Sequence, residues 1–361
     1  MMLLYTLPTG DPVHRYNKCL VVPFTGNRRV LSTCPLNGGY REDLTCVINN
    51  DGNPGAGMAC TLRAPTYEEH MALIANEAGM DSAHTAAMST AASMENVAIT
   101  QESFEGVTVT AVVTGGIEVN GGRVGDPASW QEKMGQAVQI KQGTINIMVF
   151  FNINLTPGAL TRALVTCTEA KTAAIQELAA PSRYSMGLAT GSGTDGTILI
   201  ANRDSEIMLT NAGKHSKLGE LIGKAVKKAV KEALNKQSGL NPQRQHQVSQ
   251  RVDRFGITEQ SLWDRCADKK PHLNRADFSE AFYQLSRKGE MVTAVSLYAH
   301  LLDQLMWELI TPGEAWDMGQ KLLAIMKKEH IPSRTGPENP EQMLQFMIDC
   351  LADTLLELLS V

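Results

Sequence analysis

The sequence is poor in aromatic residues, at 5%, and has no excess of positive charge: 33 Lys and Arg stand against 38 Asp and Glu. A chain without a basic balance lacks the electrostatic footprint that general nucleic-acid binding needs. It contains no run of about 18 apolar residues, which leaves no helical membrane span. The opening Met1-Met2-Leu3-Leu4-Tyr5-Thr6-Leu7-Pro8 has neither the length nor the charge of a secretory signal. Seven cysteines include no Cys-x-x-Cys pair. That points to reduced thiols and a cytoplasmic protein. Eight histidines include no H-x-x-x-H or H-E-x-x-H spacing, so no metal site is encoded locally. Disorder is excluded by what is present, 43% hydrophobic residues against 20% charged.

What is present is unevenly distributed. The 361 residues are enough for two cores, and the pattern changes along the chain. Up to about residue 225 the chain is rich in Ala, Thr, Gly and Val, with short β-prone runs between Gly-bearing turns. Beyond about 255 it is Leu- and Met-rich with helical spacing, clearest over Glu290–Ile310, and reads as four or five helices. A polar stretch from Gln237, with Gly239 and Pro242, separates the two. The expected division is 1–237, a linker at 238–254, and a helical domain at 255–361 whose role the sequence does not state. Met291, Met306, Met318, Met326, Met343 and Met347 suit a helical core, since Met packs adaptably. A lid or a homo-oligomer interface is the other use for them.

Within the first part, Lys18–Pro23, Arg29–Ser32, Gly106–Val113, Thr144–Phe151 and Thr197–Ile200 read as strands. Thr66 with Glu69 has capping-box spacing, and Gly79 should stop the helix that follows. Thr156-Pro157 opens a second helix, and Lys214 to about Gln237 forms a third. The lysines of that third helix, Lys224, Lys227, Lys228, Lys231 and Lys236, read as a solvated face. Some strand pairs lie too close in sequence for crossover helices. The expected class is therefore α+β, a mixed-sheet layered domain compatible with an αββα sandwich, followed by an all-α domain.

Familiar motifs fail on context. Gly191-Ser192-Gly193-Thr194-Asp195-Gly196 matches G-x-G-x-x-G, but a strand follows it where dinucleotide chemistry needs a helix N-terminus. Gly219 to Lys224 lacks P-loop spacing and lies within a helix. What remains is polar residues in Gly-permitted loops beside strand ends, where sites usually sit. They are Asn37, Ser93, Asn96, Asp126, Thr144, Asn146, Thr190, Thr194, Asp195, Lys214 and His215.

The order of these blocks resembles the CbiZ family, the adenosylcobinamide amidohydrolases, over roughly Arg29 to Leu234. The blocks are Leu31-Ser32-Thr33 with Asn37-Gly38-Gly39-Tyr40, Ser93-Met94-Glu95-Asn96, Gly125-Asp126-Pro127, Gly143 to Ile147, Thr168-Glu169-Ala170-Lys171, Ala189 to Gly196, and Gly213 to Glu220. The resemblance implies hydrolysis of the amide between the corrin ring's side chain and its aminopropanol arm. The products would be adenosylcobyric acid and 1-aminopropan-2-ol, and the acid would re-enter coenzyme B12 assembly. Adenosylcobinamide is then the substrate, and no cofactor is expected.

Amide hydrolysis needs a nucleophile, a proton shuttle and oxyanion stabilisation. A threonine at a strand start is similar to the nucleophile of ornithine acetyltransferases. That similarity makes Thr144 the candidate, freed by cleavage after Gly143, with Thr194 and Asp195 at a second strand start. A second mechanism activates water with His215, oriented by Asp195, and holds the oxyanion with Lys214. Asn37, Ser93, Asn96, Asp126, Asn146, Thr190 and Lys214 are expected to bind substrate. A non-catalytic corrinoid-binding protein and an acyltransferase stay open as other classes.

Overall fold

A computed structural model describes residues 1–53, 55, 62–128, 144–327 and 339–359. Gly143, and with it the expected cleavage point, lies outside the described residues. Contacts divide the chain into two units, Met1–Asn241 and Pro242–Val361.

In the first unit the elements are β1 (Met2–Thr6), β2 (Pro12–Tyr16), β3 (Cys19–Pro23), β4 (Arg28–Ser32), β5 (Gly39–Arg41), β6 (Cys46–Asp51), α1 (Tyr67–Glu77), β7 (Thr85–Thr90), β8 (Ala98–Phe104) and β9 (Val107–Gly116). There follow β10 (Gly121–Gly122), β11 (Thr144–Phe151), β12 (Asn154–Leu155), α2 (Pro157–Glu177), β13 (Gly191–Ser192), β14 (Gly196–Asn202), β15 (Met208–Leu209) and α3 (Lys217–Ser238).

Two mixed sheets result. One has the order β1-β2-β3-β6-β7, the other β5-β4-β14-β11-β9-β8. Each holds a single parallel pair, β6 with β7 across α1 and β11 with β14 across α2, because only those strands are joined through a helix. The other neighbours are antiparallel. The β8–β9 hairpin turns through Glu105 and Gly106, both at positive φ, the backbone a two-residue turn needs.

Strand alternation sorts side chains into layers. In β3, Leu20 and Val22 join Val47, Met88, Met148, Phe150, Ile198 and Ile200 between the sheets. Cys19 and Val21 face the other way, with Ile48, Met71 and Ile74 under α1. In β11, Ile145, Ile147, Val149 and Phe151 pack with Leu160, Ala163, Leu221 and Ala225 of α2 and α3. The order is helix, sheet, sheet, helix: an αββα sandwich of class α+β.

The helix ends follow their local signals. Thr66 and Glu69 form the expected reciprocal capping box, and Thr156 caps α2 ahead of Pro157. The lysines of α3 do more than face solvent: Lys227 and Lys231 both reach Glu177 on α2, and Lys224 reaches Glu220.

The second unit is helical. It contains α4 (Pro242–Gln245), α5 (Val248–Val252), α6 (Glu259–Lys269), α7 (Arg275–Ser286), α8 (Gly289–Met306), α9 (Pro312–Lys327) and α10 (Pro340–Leu358). The stretch read as linker carries α4 and α5, and Val248, Val252 and Phe255 are buried in this unit's core. Met291, Met326, Met343 and Met347 lie in the same core, whereas Met318 is exposed. Arg254 and Asp303 form a buried two-bond ion pair at 2.6 and 2.7 Å. Among the described residues no helix is long and apolar enough to cross a membrane.

Candidate active site

Thr144 begins β11 and is only 4% exposed. Its hydroxyl touches that of Thr194. Thr194 lies in the loop between β13 and β14, and the parallel pairing of β11 with β14 sets that loop beside the start of β11.

Asp195 organises the loop. Its Oδ1 accepts the Ile145 backbone N–H at 2.9 Å and the Ser192 hydroxyl at 2.7 Å. Its Oδ2 accepts the Ser192 N–H at 3.0 Å and pairs with the Lys171 ammonium. The side chains of Lys171 and Asp195 are 12% and 10% exposed, so the pair is weakly screened by water. With four donors on two oxygens, Asp195 is an anchor rather than a free base.

Gly191 is required here by close approach. A Cβ on it would strike Asp195 Oδ2 and come within 2.6 Å of Lys171 Nζ. Gly191 therefore serves this carboxylate, in place of the pyrophosphate that a dinucleotide motif would cradle.

One layer deeper, Asn146 is 1% exposed. Its amide donates to Asn49 Oδ1 at 2.8 Å and to the Ser89 carbonyl at 3.0 Å, and Asn49 donates to Thr114 at 2.8 Å. These bonds tie β6 and β7 of one sheet to β9 and β11 of the other. Asn146 Oδ1 has no partner among the described residues, and a Cβ on Gly196 would lie 2.8 Å from it. Both donors of Asn146 are spent inside the fold, so it shapes the floor of the cluster.

Thr190 directly precedes β13, and Asp126 follows β10 in a turn beside Ser182. The two-residue ribbon of β10 and β13 joins the two segments. Thr190 accepts the Val124 N–H at 2.9 Å, and Asp126 accepts the Arg123 N–H and the Ser182 hydroxyl at 2.7 and 2.6 Å. Burial pushes the Asp126 carboxyl up, but the Ser182 and Ser185 hydroxyls and the Arg123 N–H outweigh it and hold it below its ordinary range.

The other candidates are not brought to the cluster, or are brought only to its edge. Ser93 and Asn96 lie at the same end of the sandwich, but the Ser93 N–H and the Asn96 amide both bond to Gln237 of α3. Asn37 donates to the Ser82 and Thr85 carbonyls at 2.7 and 2.8 Å. Thr85 starts β7 and Ser89 nearly ends it, roughly 13 Å apart at about 3.3 Å per residue.

The structure does not bring His215 and Lys214 into contact with the cluster. Gln237, at the end of α3, lies against Gly116, the partner of Thr144. At about 1.5 Å per residue the start of α3 is roughly 30 Å away along the helix. There Lys217 sits over Phe104, at the opposite end of the sheet. Lys214 pairs with Glu169 at 2.8 Å, and His215 is exposed. Neither reaches the hydroxyls or Asp195 directly, so the expected His215–Asp195 partnership is absent.

Sequence reasoning quoted Lys171 and Ser192 in motifs but gave them no role. Lys171 did carry a signal: it lies four residues after Cys167, on the face that buries Ala163, Cys167, Ala170 and Ala174. A charge on that face needs a buried partner. Asn49 and Thr114 carried none, because only sheet packing brings them together. Among the described residues no group of three or more His, Cys, Asp and Glu is placed to hold a metal ion.

Comparison with known proteins places these residues in context. A family model described as CbiZ, adenosylcobinamide amidohydrolase, matches residues 4–242. The uncharacterized protein MJ1613 of Methanocaldococcus jannaschii is 36% identical over 238 residues, covering 63% of this chain and 89% of that protein. The crystal structure of the PH0078 protein from Pyrococcus horikoshii OT3 is a looser likeness. It has 15% identity and a TM-score of 0.33, over 63% of this chain and 79% of that one.

Proposed function

The chain belongs to the adenosylcobinamide amidohydrolase family, and we propose that it cleaves the amide joining the corrin side chain to its aminopropanol arm. Membership implies a hydrolase whose substrate is a cobinamide. The proposed products are adenosylcobyric acid and 1-aminopropan-2-ol, which would serve cobinamide salvage. The observation that supports this reading is the contact of the Thr144 and Thr194 hydroxyls beside a carboxylate neutralised by Lys171.

In the proposed reaction Thr144 Oγ1 adds to the amide carbonyl carbon. Its proton passes to Thr194 while Thr194 gives its own proton to the amide nitrogen. The C–N bond breaks, the amine leaves, and the acyl group remains as an ester on Thr144. Water then cleaves that ester, and the hydroxyl pair returns the proton. Asp195 holds Thr194 and the start of β11 in register. Lys171 cancels its charge, so the carboxylate does not oppose the oxyanion in this dry setting. Thr190, next to the Gly191 loop, is the candidate to meet the substrate amides.

Incubation of the full chain with adenosylcobinamide tests the reading. Equimolar cobyric acid and aminopropanol are expected. Tight corrinoid binding without product would leave a binding protein. Turnover only with an added acyl acceptor would make it an acyltransferase.

A further inference from the structure

The reaction cluster holds two hydroxyls and a carboxylate already engaged by four donors. None of these is a ready base, yet water has to be activated if it is to cleave an ester on Thr144. The facing sheet supplies such a group.

Strand alternation fixes where it points. In β6, Val47 lies in the core between the sheets and Ile48 under α1, and the Asn49 side chain meets Thr114 and Asn146 of the other sheet. Asp51, two residues on and last in β6, shares the Asn49 face. In β11, Met148 lies in the same core, Asn146 meets Asn49, and Thr144 is two residues further out on that face. Asp51 and Thr144 are thus each one two-residue step, about 7 Å, beyond the contact of Asn49 with Asn146. Both steps lead to the same end of the sandwich. Asp51 pairs in register with Thr90, the last residue of β7. The chain after β7 bonds through Ser93 to Gln237, which lies against Gly116, the register partner of Thr144. Stacked sheets are about 10 Å apart, so the space between the two side chains suits a carbonyl group and a water.

Asp51 is not committed elsewhere. One carboxylate oxygen accepts the Asn53 N–H at 2.9 Å, and among the described residues the carboxylate forms no ion pair. Burial raises its pKa above the ordinary carboxyl value, although the Asn53 N–H and the Lys18 charge pull it down. A carboxylate so raised is a stronger base than an exposed one.

We propose that Asp51 is the general base of the second half-reaction, deprotonating the water that cleaves the Thr144 ester. This rests on the hydrolysis proposed above. The water oxygen adds to the ester carbonyl carbon as one of its protons passes to the Asp51 carboxylate. The tetrahedral adduct collapses, and the bond from carbon to Thr144 Oγ1 breaks. The proton on Asp51 returns through water to the hydroxyl pair, so adenosylcobyric acid leaves and both threonines are restored.

Rapid quenching of the full chain with adenosylcobinamide tests this by counting each product. Asp51→Asn keeps the Asn53 bond. It should release aminopropanol in a burst equal to the chain concentration, while cobyric acid release falls about a hundredfold or more. Intact mass should then show the acyl group held on the chain. Hydroxylamine, a nucleophile that needs no such base, should discharge it. Wild-type rates in Asp51→Asn overturn the base. So does loss of the burst together with turnover in a variant whose circular dichroism spectrum is unchanged. If Asp51→Asn unfolds, Asp51→Glu decides: turnover sustains the base, and a folded, inactive chain overturns it. A wild-type chain that makes no cobyric acid sinks the hydrolysis itself, a separate failure seen before any variant is made.

Discussion

Asp195 Oδ1 accepts the backbone N–H of Ile145 at 2.9 Å, joining the Gly-rich loop to the first turn of the central strand. The bond makes the position of Thr194 against Thr144 a consequence of one buried carboxylate. Breaking a buried pair by removing one charge typically costs about 3 kcal/mol or more. Asp195→Asn should therefore lower stability to urea by about that amount. Lys171→Met in the same chain should recover part of it, because the orphaned ammonium is gone. An unchanged urea midpoint for Asp195→Asn would show that the pair holds nothing.

Gly191→Ala places a methyl group against Asp195 and Lys171. The loop must shift, and a displacement of about 1 Å at a reacting group is worth on the order of a hundredfold in rate. A loss of that size in cobinamide turnover, with an unchanged circular dichroism spectrum, is the expected result.

Thr144→Ser keeps the hydroxyl and Thr144→Val keeps the shape. Serine should retain measurable turnover, and valine should abolish it while corrinoid binding persists. Equal rates in the two variants would remove Thr144 from the chemistry.

His215→Ala should leave turnover within about twofold, since the residue is exposed and bonds neither Thr144 nor Asp195 among the described residues. A hundredfold loss would return it to the reaction.

Cys34, Cys46 and Cys167 have thiols pushed up to about 12 by burial. Near pH 8 the folded protein should leave all three unmodified by iodoacetamide, and urea should expose them, as read by peptide mass. The ordinary thiol range is lower, so the unfolded chain ionises first. Their contribution to stability is whole below about pH 8.5 and is lost as pH rises toward 12. Rapid labelling of the native chain would contradict this.

Strand and helix signals were legible because they are local. The Thr66 capping box, the Thr156-Pro157 start and the alternation of β11 each depend on a few neighbours in sequence. The layered class followed from them. Thr144, Thr194 and Asp195 were legible because small polar residues interrupt apolar strand starts. Their partnership was less so. His215 read as a helper of Asp195 because both lie in specific motifs, but motif strength carries no information about which end of a sheet a residue occupies. Lys171 took that position because α2 returns over the sheet from the far end of β11 toward its start. Asn49 reaches Asn146 only through the stacking of two sheets, which no local spacing encodes.

The burial of Thr144 has a steric consequence. At 4% exposure the side chain presents little of its surface for a bulky group to lie against. A molecule cleaved at this point has to carry its scissile bond out on a slender tether, with its bulk left outside. Selection at Thr144 would then read the length of an arm before it reads the identity of the body.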